Sequence, residues 1–363
     1  MSSMANVLCT AKRVQIISAL VEGVSVRATA RMFDLSKDTV MKLGVEMGEA
    51  CARYQDETLR ELTCRRLQVD EVWSFVYAKA KNVPQDRLGE FGVGDVWTFT
   101  AIDAETKLIP SFLIGSRDAG SATELLQDLA SRLVNRVQLA TDGHRVYLSA
   151  VDEAFGGAID SAQLVKMYGA APEGPEVRYS PAVCTGCERT AVTGQPDPNH
   201  ASTSYVERSN LTVRMSVRRF TRLTNAFSKK LRNHAAAVAL FTAHYNFCRI
   251  HQTLRVTPCM AAGVTKTGWS IADLVALLPA PIAAKRGPYK KRAAGANSLP
   301  PGEGMEGRGG TSTPLWARMA RGPSLREGGG ALRPLAIRAQ RGVKVPPLPS
   351  IPSPGGWGDG NEA

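Results

Sequence analysis

The sequence of 363 residues lacks several features that would place it in a broad class at once. No apolar run approaches the about 18 residues of a membrane-spanning helix, and residues 1–20 hold no continuous apolar core of signal-peptide length. The seven cysteines are odd in number and scattered, which is not the pattern of a disulfide framework. We therefore expect a soluble cytoplasmic protein with reduced thiols and no membrane association.

Acidic residues are also scarce relative to basic ones, with 33 Asp and Glu against 45 Lys and Arg and a net charge of +12. This balance favours a polyanionic partner, most often a nucleic acid. Residues 285–363 hold 13 of the basic and 5 of the acidic residues, together with 16 Gly and 11 Pro. That composition predicts a disordered basic tail rich in Gly, Pro and Arg.

Residues 1–60 are predicted to form an all-α helix-turn-helix region that binds DNA. Apolar residues recur at helical spacing, Ser25 and Ser36 are placed to cap helices, and a third helix is expected from Lys37 to about Leu43. Short amphipathic helix pairs also occur in proteins that do not bind DNA, so the pattern alone leaves both interpretations open. The side chains of the third helix that are suited to bases or phosphates are Lys37, Thr39 and Lys42.

From residue 65 the pattern changes to runs rich in Val, Ile, Phe, Trp and Thr, which are typical of strands. The predicted order of elements in residues 65–275 is strand, strand, strand, helix, strand, helix, strand, helix. This order is that of the ribonuclease H-like fold, an α/β architecture with a mixed five-stranded sheet flanked by helices. Residues 169–200 are rich in Pro and Gly and are expected to form an inserted loop.

Three acidic residues fall where this fold would bring them together. Asp70 lies within the first strand, Asp142 closes the fourth, and Glu207 stands early in the following helix. Each has an ordinary explanation when taken singly, as a salt bridge, a turn or a solvated helix residue. Together they fit the need of phosphodiester chemistry for carboxylates that hold two Mg²⁺ or Mn²⁺ ions about 4 Å apart.

Two neighbouring features are not assigned to this site. Glu71 should point to the opposite face of the strand from Asp70, because side chains alternate. Cys184, Cys187 and His200 have partial zinc-finger spacing but lack a fourth ligand at the expected distance, so an ordinary loop is favoured over a zinc site.

A basic segment follows Glu207 directly, with eight Lys and Arg and no acid between residues 208 and 232. Such a density favours phosphate contact near the metal site over a solvated helix face. The predicted DNA contacts of this segment are Arg208, Asn210, Arg214, Arg218, Arg219, Arg222, Lys229 and Lys230.

Asp70, Asp142 and Glu207 with their flanks resemble the acidic triad of bacterial insertion-sequence transposases of the DDE class, most closely the insertion sequence one family. The segments YVERSN at 205–210 and YNFCRIHQTL at 245–254 strengthen the resemblance. It implies binding of double-stranded DNA at the element ends, hydrolysis there, and attack of the freed 3′-hydroxyl on target DNA. It also implies a homo-oligomer that holds two ends.

Two alternatives remain open at this stage. One is a nuclease of the same fold that cuts DNA without joining it. The other is a DNA-binding regulator or an inactive transposase remnant, which the unusual tail keeps open although the three acids are present.

Overall fold

The computed structural model describes residues 8–169, 184–221 and 225–279, all of which belong to one compact unit. The predicted tail at 285–363 and Arg222 lie outside these residues. The α-helices are α1 Thr10–Val21, α2 Val26–Met32, α3 Lys37–Thr58, α4 Ala119–Ala130, α5 Val146–Phe155, α6 Ser204–Ser216, α7 Leu231–Ala243, α8 Pro258–Ala261 and α9 Ile271–Ala276. The strands are β1 Arg66–Val76, β2 Gly94–Asp103, β3 Ser111–Gly115, β4 Gln138–Asp142, β5 Asp160–Tyr168 and β6 Cys184–Thr193.

These strands form one mixed sheet in the order β3-β2-β1-β4-β5-β6. The pairs β1–β2, β2–β3 and β5–β6 are antiparallel, whereas β1–β4 and β4–β5 are parallel. The α/β class and the mixed sheet are therefore confirmed. The predicted number of five strands is wrong, because β6 adds a sixth strand inside the segment that we expected to be a loop.

β6 was missed because its sequence gives little sign of a buried strand. Nearly all of its side chains are exposed, so it has no alternation of apolar and polar residues. It is held instead by backbone pairing with β5 along an edge of the sheet. Residues 170–183 of the predicted insert lie outside the described residues.

The second and third helices begin at the cap residues that the sequence predicts. Ser25 Oγ accepts a hydrogen bond from the backbone N–H of Ala28 at 3.1 Å, and Ser36 Oγ accepts one from Asp38 at 3.2 Å. The third helix is longer than expected, because α3 continues past Leu43 to Thr58. Its second half packs against α7 rather than facing solvent.

Gly48 allows this close packing of α3 on α7. A Cβ atom at this position would overlap the backbone of Ala236 on α7. Gln55 is buried in the same contact, although glutamine is rarely buried. Its side-chain amide donates hydrogen bonds to the backbone carbonyls of Cys51 and Ala239, both at 3.2 Å. The amino-terminal helices are thereby joined to the sheet-bearing part of the chain.

Within the described residues, no helix is both long enough and apolar enough to cross a membrane.

Candidate active site

Asp70 and Asp142 are brought together by the parallel pairing of β1 and β4. The register pairs Val69 with Thr141, so the next positions along the two strands are Asp70 and Asp142. Side chains at matched positions of neighbouring strands project from the same face of a sheet. The backbone N–H of His144 donates to Asp142 Oδ1 at 3.1 Å and fixes this carboxylate at the strand end.

Glu71 joins these two residues, which corrects the expectation that alternation would separate it from Asp70. One carboxylate oxygen from each of Asp70, Glu71 and Asp142 lies within 4.8 Å of the other two. We call these three residues the acidic cluster. The cluster forms because β4 ends at Asp142, so no strand residue flanks Glu71 on that side and the carboxylates of both faces can converge.

Glu71 differs from the other two acids in having strong partners. Its side chain is only 2% exposed and accepts hydrogen bonds from Arg117 Nε and Tyr147 Oη, both at 2.8 Å. A buried carboxylate is tolerated when it is paired and hydrogen-bonded in this way. The sequence held one sign of this role, since the same-face neighbours of Glu71 on the strand, Val69 and Trp73, are apolar. It gave no sign of the partners, which lie 46 and 76 residues away.

Asp70 and Asp142 lie in an environment that opposes their ionisation. Burial is the main cause that raises the pKa of Asp70 to about 7, and the nearby charges of Glu71, Asp142 and Glu207 add to it. Burial also raises the pKa of Asp142, followed by the charge of Glu71. Carboxylates placed so close together repel one another unless a proton or a cation lies between them.

Helix α6 is tied to β1 by polar contacts that set its position over Asp70. Gln68 Oε1 accepts the backbone N–H groups of Tyr205 and Val206, at 2.8 and 3.1 Å, in the first turn of the helix. Asn210 Nδ2, farther along α6, donates to Asp70 Oδ2 at 2.8 Å. Asn210 was predicted to contact DNA, but in this structure its side-chain amide is hydrogen-bonded to the acidic cluster instead.

Glu207 lies close to the acidic cluster without belonging to it. Its Oε1 accepts a hydrogen bond from Thr203 Oγ1 at 2.6 Å and forms an ion pair with Lys166 on β5. Its charge is nevertheless among those that raise the pKa of Asp70. The structure therefore places the three predicted acids in one region, with Glu207 turned toward Lys166, a residue that the sequence did not single out.

The donor atoms of this region suit a hard divalent cation. They are carboxylate oxygens, and the buried Oδ1 of Asn210 has no hydrogen-bond partner among the described residues. Magnesium and manganese prefer oxygen ligands of this kind. The acidic cluster is the only group of three or more His, Cys, Asp or Glu with converging ligand atoms in the described part of the chain.

The predicted basic contacts differ in their exposure. Arg219 is half-buried, and burial lowers the pKa of its guanidinium to about 10; its Nη1 donates to Ser228 Oγ at 2.6 Å. Arg214 is half-buried, as is Thr39 on α3. The side chains that reach solvent are Lys37, Lys42, Arg208, Arg218, Lys229 and Lys230, and Lys42 also forms an ion pair with Glu46 at 3.9 Å.

The cysteine pair on β6 is not completed by His200. The two Sγ atoms of Cys184 and Cys187 are 3.9 Å apart, whereas His200 Nδ1 contacts Arg66 and its Nε2 lies 3.7 Å from Asp197. His200 is thus directed toward Arg66 and Asp197, and the segment that carries the two cysteines forms a strand and not the expected loop.

Comparison with known proteins gives likenesses among solved structures only. No family model and no curated protein matches the chain. Among solved structures it is similar to one described as "Crystal structure of the Mos1 Strand Transfer Complex", at 11% sequence identity, with 68% of this chain and 79% of that chain covered and a TM-score of 0.20. A likeness at this TM-score does not identify the fold.

Proposed function

We propose that the chain is a DDE-class transposase of the insertion sequence one type, with a ribonuclease H-like catalytic domain. The observation that carries this proposal is the convergence of Asp70 and Asp142 from two neighbouring parallel strands, with the helix that bears Glu207 tied to Asp70 through Asn210. The strand order β3-β2-β1-β4-β5 and the antiparallel first three strands support the fold assignment.

Asp70, Asp142 and Glu207 are the residues that would hold the two Mg²⁺ or Mn²⁺ ions. Bound metal would supply activation of the attacking oxygen and stabilisation of the leaving oxygen at the phosphodiester. Asn210 orients the Asp70 carboxylate, and Gln68 fixes the first turn of α6 so that Glu207 remains beside β1. Glu207 pairs with Lys166 in this structure, so it would have to give up that contact in order to hold a metal ion.

DNA would approach the acidic cluster along the basic segment that follows Glu207. The exposed Arg208, Arg218, Lys229 and Lys230 are suited to phosphate contacts, which position DNA without reading its sequence. The amino-terminal helices, with Lys37 and Lys42 exposed on α3, act as the helix-turn-helix that binds the element ends. Synapsis of two ends requires a homo-oligomer, and the enzyme acts on the nucleoid in the cytoplasm.

The experiment that tests this proposal uses duplexes from the DNA on either side of the gene, chosen for inverted repeats. Asp70→Asn, Asp142→Asn and Glu207→Gln should each lose Mg²⁺-dependent cleavage and strand transfer while duplex binding is retained. Loss of a residue that hydrogen-bonds to a metal ligand can reduce activity by about 100-fold, and loss of a ligand itself should reduce it further. Asp152→Asn, at an exposed acid on α5, is the matched control and should keep full activity.

The other outcomes have distinct meanings. Cleavage that persists in Asp70→Asn would contradict the assignment of the triad. Cutting without joining in the native chain would identify a nuclease of the same fold. Binding of the repeats without cleavage in Mg²⁺ or Mn²⁺ would identify a DNA-binding regulator or an inactive remnant.

A further inference from the structure

A group of aromatic side chains lies on the sheet beside the acidic cluster. Trp73 and Phe75 follow Glu71 at alternate positions of β1 and therefore share its face. Trp97 of β2 is the cross-strand partner of Trp73, so it projects from the same face. Phe227 completes the group by contacting Phe75, with ring centroids 5.0 Å apart. We call these four residues the aromatic patch.

The aromatic patch begins where the covering of this face by helices ends. Earlier on the same face of β1, Leu67 and Val69 are fully buried in one apolar cluster with Leu125 and Leu129 of α4. All four members of the patch, by contrast, are only half-buried. The Trp73 and Phe75 rings are 5.9 Å apart and inclined at 37°, so they are not closed into a continuous stack.

Cations surround the aromatic patch. Lys79 Nζ lies 5.9 Å from the centre of the Trp73 ring, and Arg117 Cζ lies 4.6 Å from the centre of the Trp97 ring. Arg117 also donates to Glu71, so one guanidinium joins the patch to the acidic cluster. Lys229 and Lys230 are exposed and follow Phe227 almost directly in the chain.

Besides Glu71 of the acidic cluster, Asp95 is an acid near this group, and it has a partner of its own. Asp95 is the cross-strand neighbour of Phe75, and its Oδ1 accepts the backbone N–H of Ala80 at 2.9 Å. Aromatic rings interleaved with Lys and Arg are the combination that binds single-stranded nucleic acid, in which rings stack on bases and cations contact phosphates. The positive charge thus matches a polyanion, whereas a purely apolar partner would leave these cations without a role.

We propose that the aromatic patch binds unpaired bases of the DNA strand that lies beside the acidic cluster. This inference rests on the proposed function, because it is cleavage that would bring a DNA strand to the acidic cluster. Bases in an intact duplex are stacked on one another and cannot present their faces to Trp73 or Phe75. The patch therefore selects DNA that is frayed or distorted next to the cut, and it holds the strand while the carboxylates act.

The experiment measures binding of the full-length protein to a labelled oligothymidylate of about 12 nucleotides, long enough to span one such site. Fluorescence anisotropy is recorded in EDTA, so that no cleavage can contribute. A second oligonucleotide of equal length has abasic positions and keeps every phosphate. Trp73→Leu and Phe75→Leu remove the aromatic faces while retaining apolar volume. Phe91→Ala, at an exposed aromatic without ring contacts among the described residues, is the control.

Trp73→Leu should weaken binding of oligothymidylate by about tenfold, because stacking on one base contributes about that factor, and should leave binding of the abasic strand unchanged. Phe91→Ala should bind both strands as the native chain does. Equal affinities of the native chain for the two strands would overturn the proposal. So would a Trp73→Leu variant that binds oligothymidylate normally but changes its oligomeric state, since the patch would then be a protein contact.

The result is separable from that of the catalytic test. Asp70→Asn should bind oligothymidylate at least as well as the native chain, because it removes a negative charge near the strand. Base-dependent binding in a chain that never cuts DNA would support the aromatic patch and contradict the transposase proposal. Cleavage that proceeds without base-dependent binding would do the reverse.

Discussion

Two regions of the molecule treat their buried polar groups differently: the contact of helix α3 with helix α7, and the acidic cluster. At the first, Gly48 meets the Ala236 backbone directly, and the buried Gln55 amide finds two carbonyl oxygens. At the second, burial and mutual repulsion raise the pKa of Asp70 to about 7 and the pKa of Asp142 as well. The first region stabilises the fold, whereas the second stores an unfavourable interaction that a bound cation would relieve. This contrast is common between packing sites and functional sites.

The largest effect on stability is expected from Gly48→Ala. The new Cβ would overlap the Ala236 backbone, which cannot move aside as a flexible side chain can, so the helices must separate. We expect a loss of up to about 3 kcal/mol in the free energy of unfolding, measured by urea denaturation.

Gly44→Ala, one turn earlier on the same helix, is the matched control. Its Cβ would lie 3.3 Å from the flexible end of Leu20, and alanine favours a helix over glycine by about 1 kcal/mol. Stability should therefore be unchanged or higher. Equal destabilisation by both substitutions would show that the close approach at Gly48 is not the cause.

His234 on α7 should produce the next largest effect, as a dependence of stability on pH. The side chain is fully buried beside Ser74 and Phe220, and burial lowers its pKa to about 3. The unfolded chain binds a proton near pH 6.5 and the folded chain does not, so stability is present above that pH and falls as the pH is lowered. The loss between about pH 7 and pH 5 should be about 2 kcal/mol.

His234→Gln should flatten this acid limb, as measured by the denaturation midpoint across the same pH range. The variant is compared with the native chain at each pH, so a constant loss from the substitution does not affect the slope. An unchanged slope would show that other groups dominate acid unfolding.

Asp70→Asn should increase the stability of the metal-free chain, whereas Gly48→Ala should reduce it. The raised pKa of Asp70 means that stability is present at low pH and is lost as the pH rises toward about 7. The neutral amide removes the repulsion, so we expect the metal-free chain to gain about 1 kcal/mol above that pH. Thermal unfolding in EDTA measures this gain. Addition of Mn²⁺ should stabilise the native chain but not the variant, and a variant less stable than the native chain in EDTA would contradict the contrast.

The smallest effect is expected at the polar link between β1 and α6. Gln68→Ala leaves the backbone N–H groups of Tyr205 and Val206 without their acceptor, at a cost of about 1 kcal/mol. Gln68→Glu keeps an acceptor oxygen and should retain most of the stability. If the two variants unfold alike by urea denaturation, the link does not hold α6 in place.

Elements with strong local patterns were predictable, and elements held by long-range pairing were not. The first strand, Arg66–Val76, lies at the start of the strand-like pattern predicted from residue 65, because its β-branched and aromatic residues favour a strand locally. β6 has no such pattern and depends on β5 for its structure. The continuation of α3 to Thr58 likewise follows from its contact with α7, since helix length in proteins is set largely by packing.

The candidate site divides in the same way. The sequence by itself determined the residue types and their order: Asp70 in a strand, Asp142 at a strand end, Glu207 in a helix, and a basic segment after it. Only the tertiary structure decided which carboxylates converge, because the β1–β4 register and the end of β4 bring Glu71 to Asp70 and Asp142. Local alternation fixes the face from which a side chain leaves its strand. Where a long side chain ends depends on the neighbours that fill or leave open the space around it.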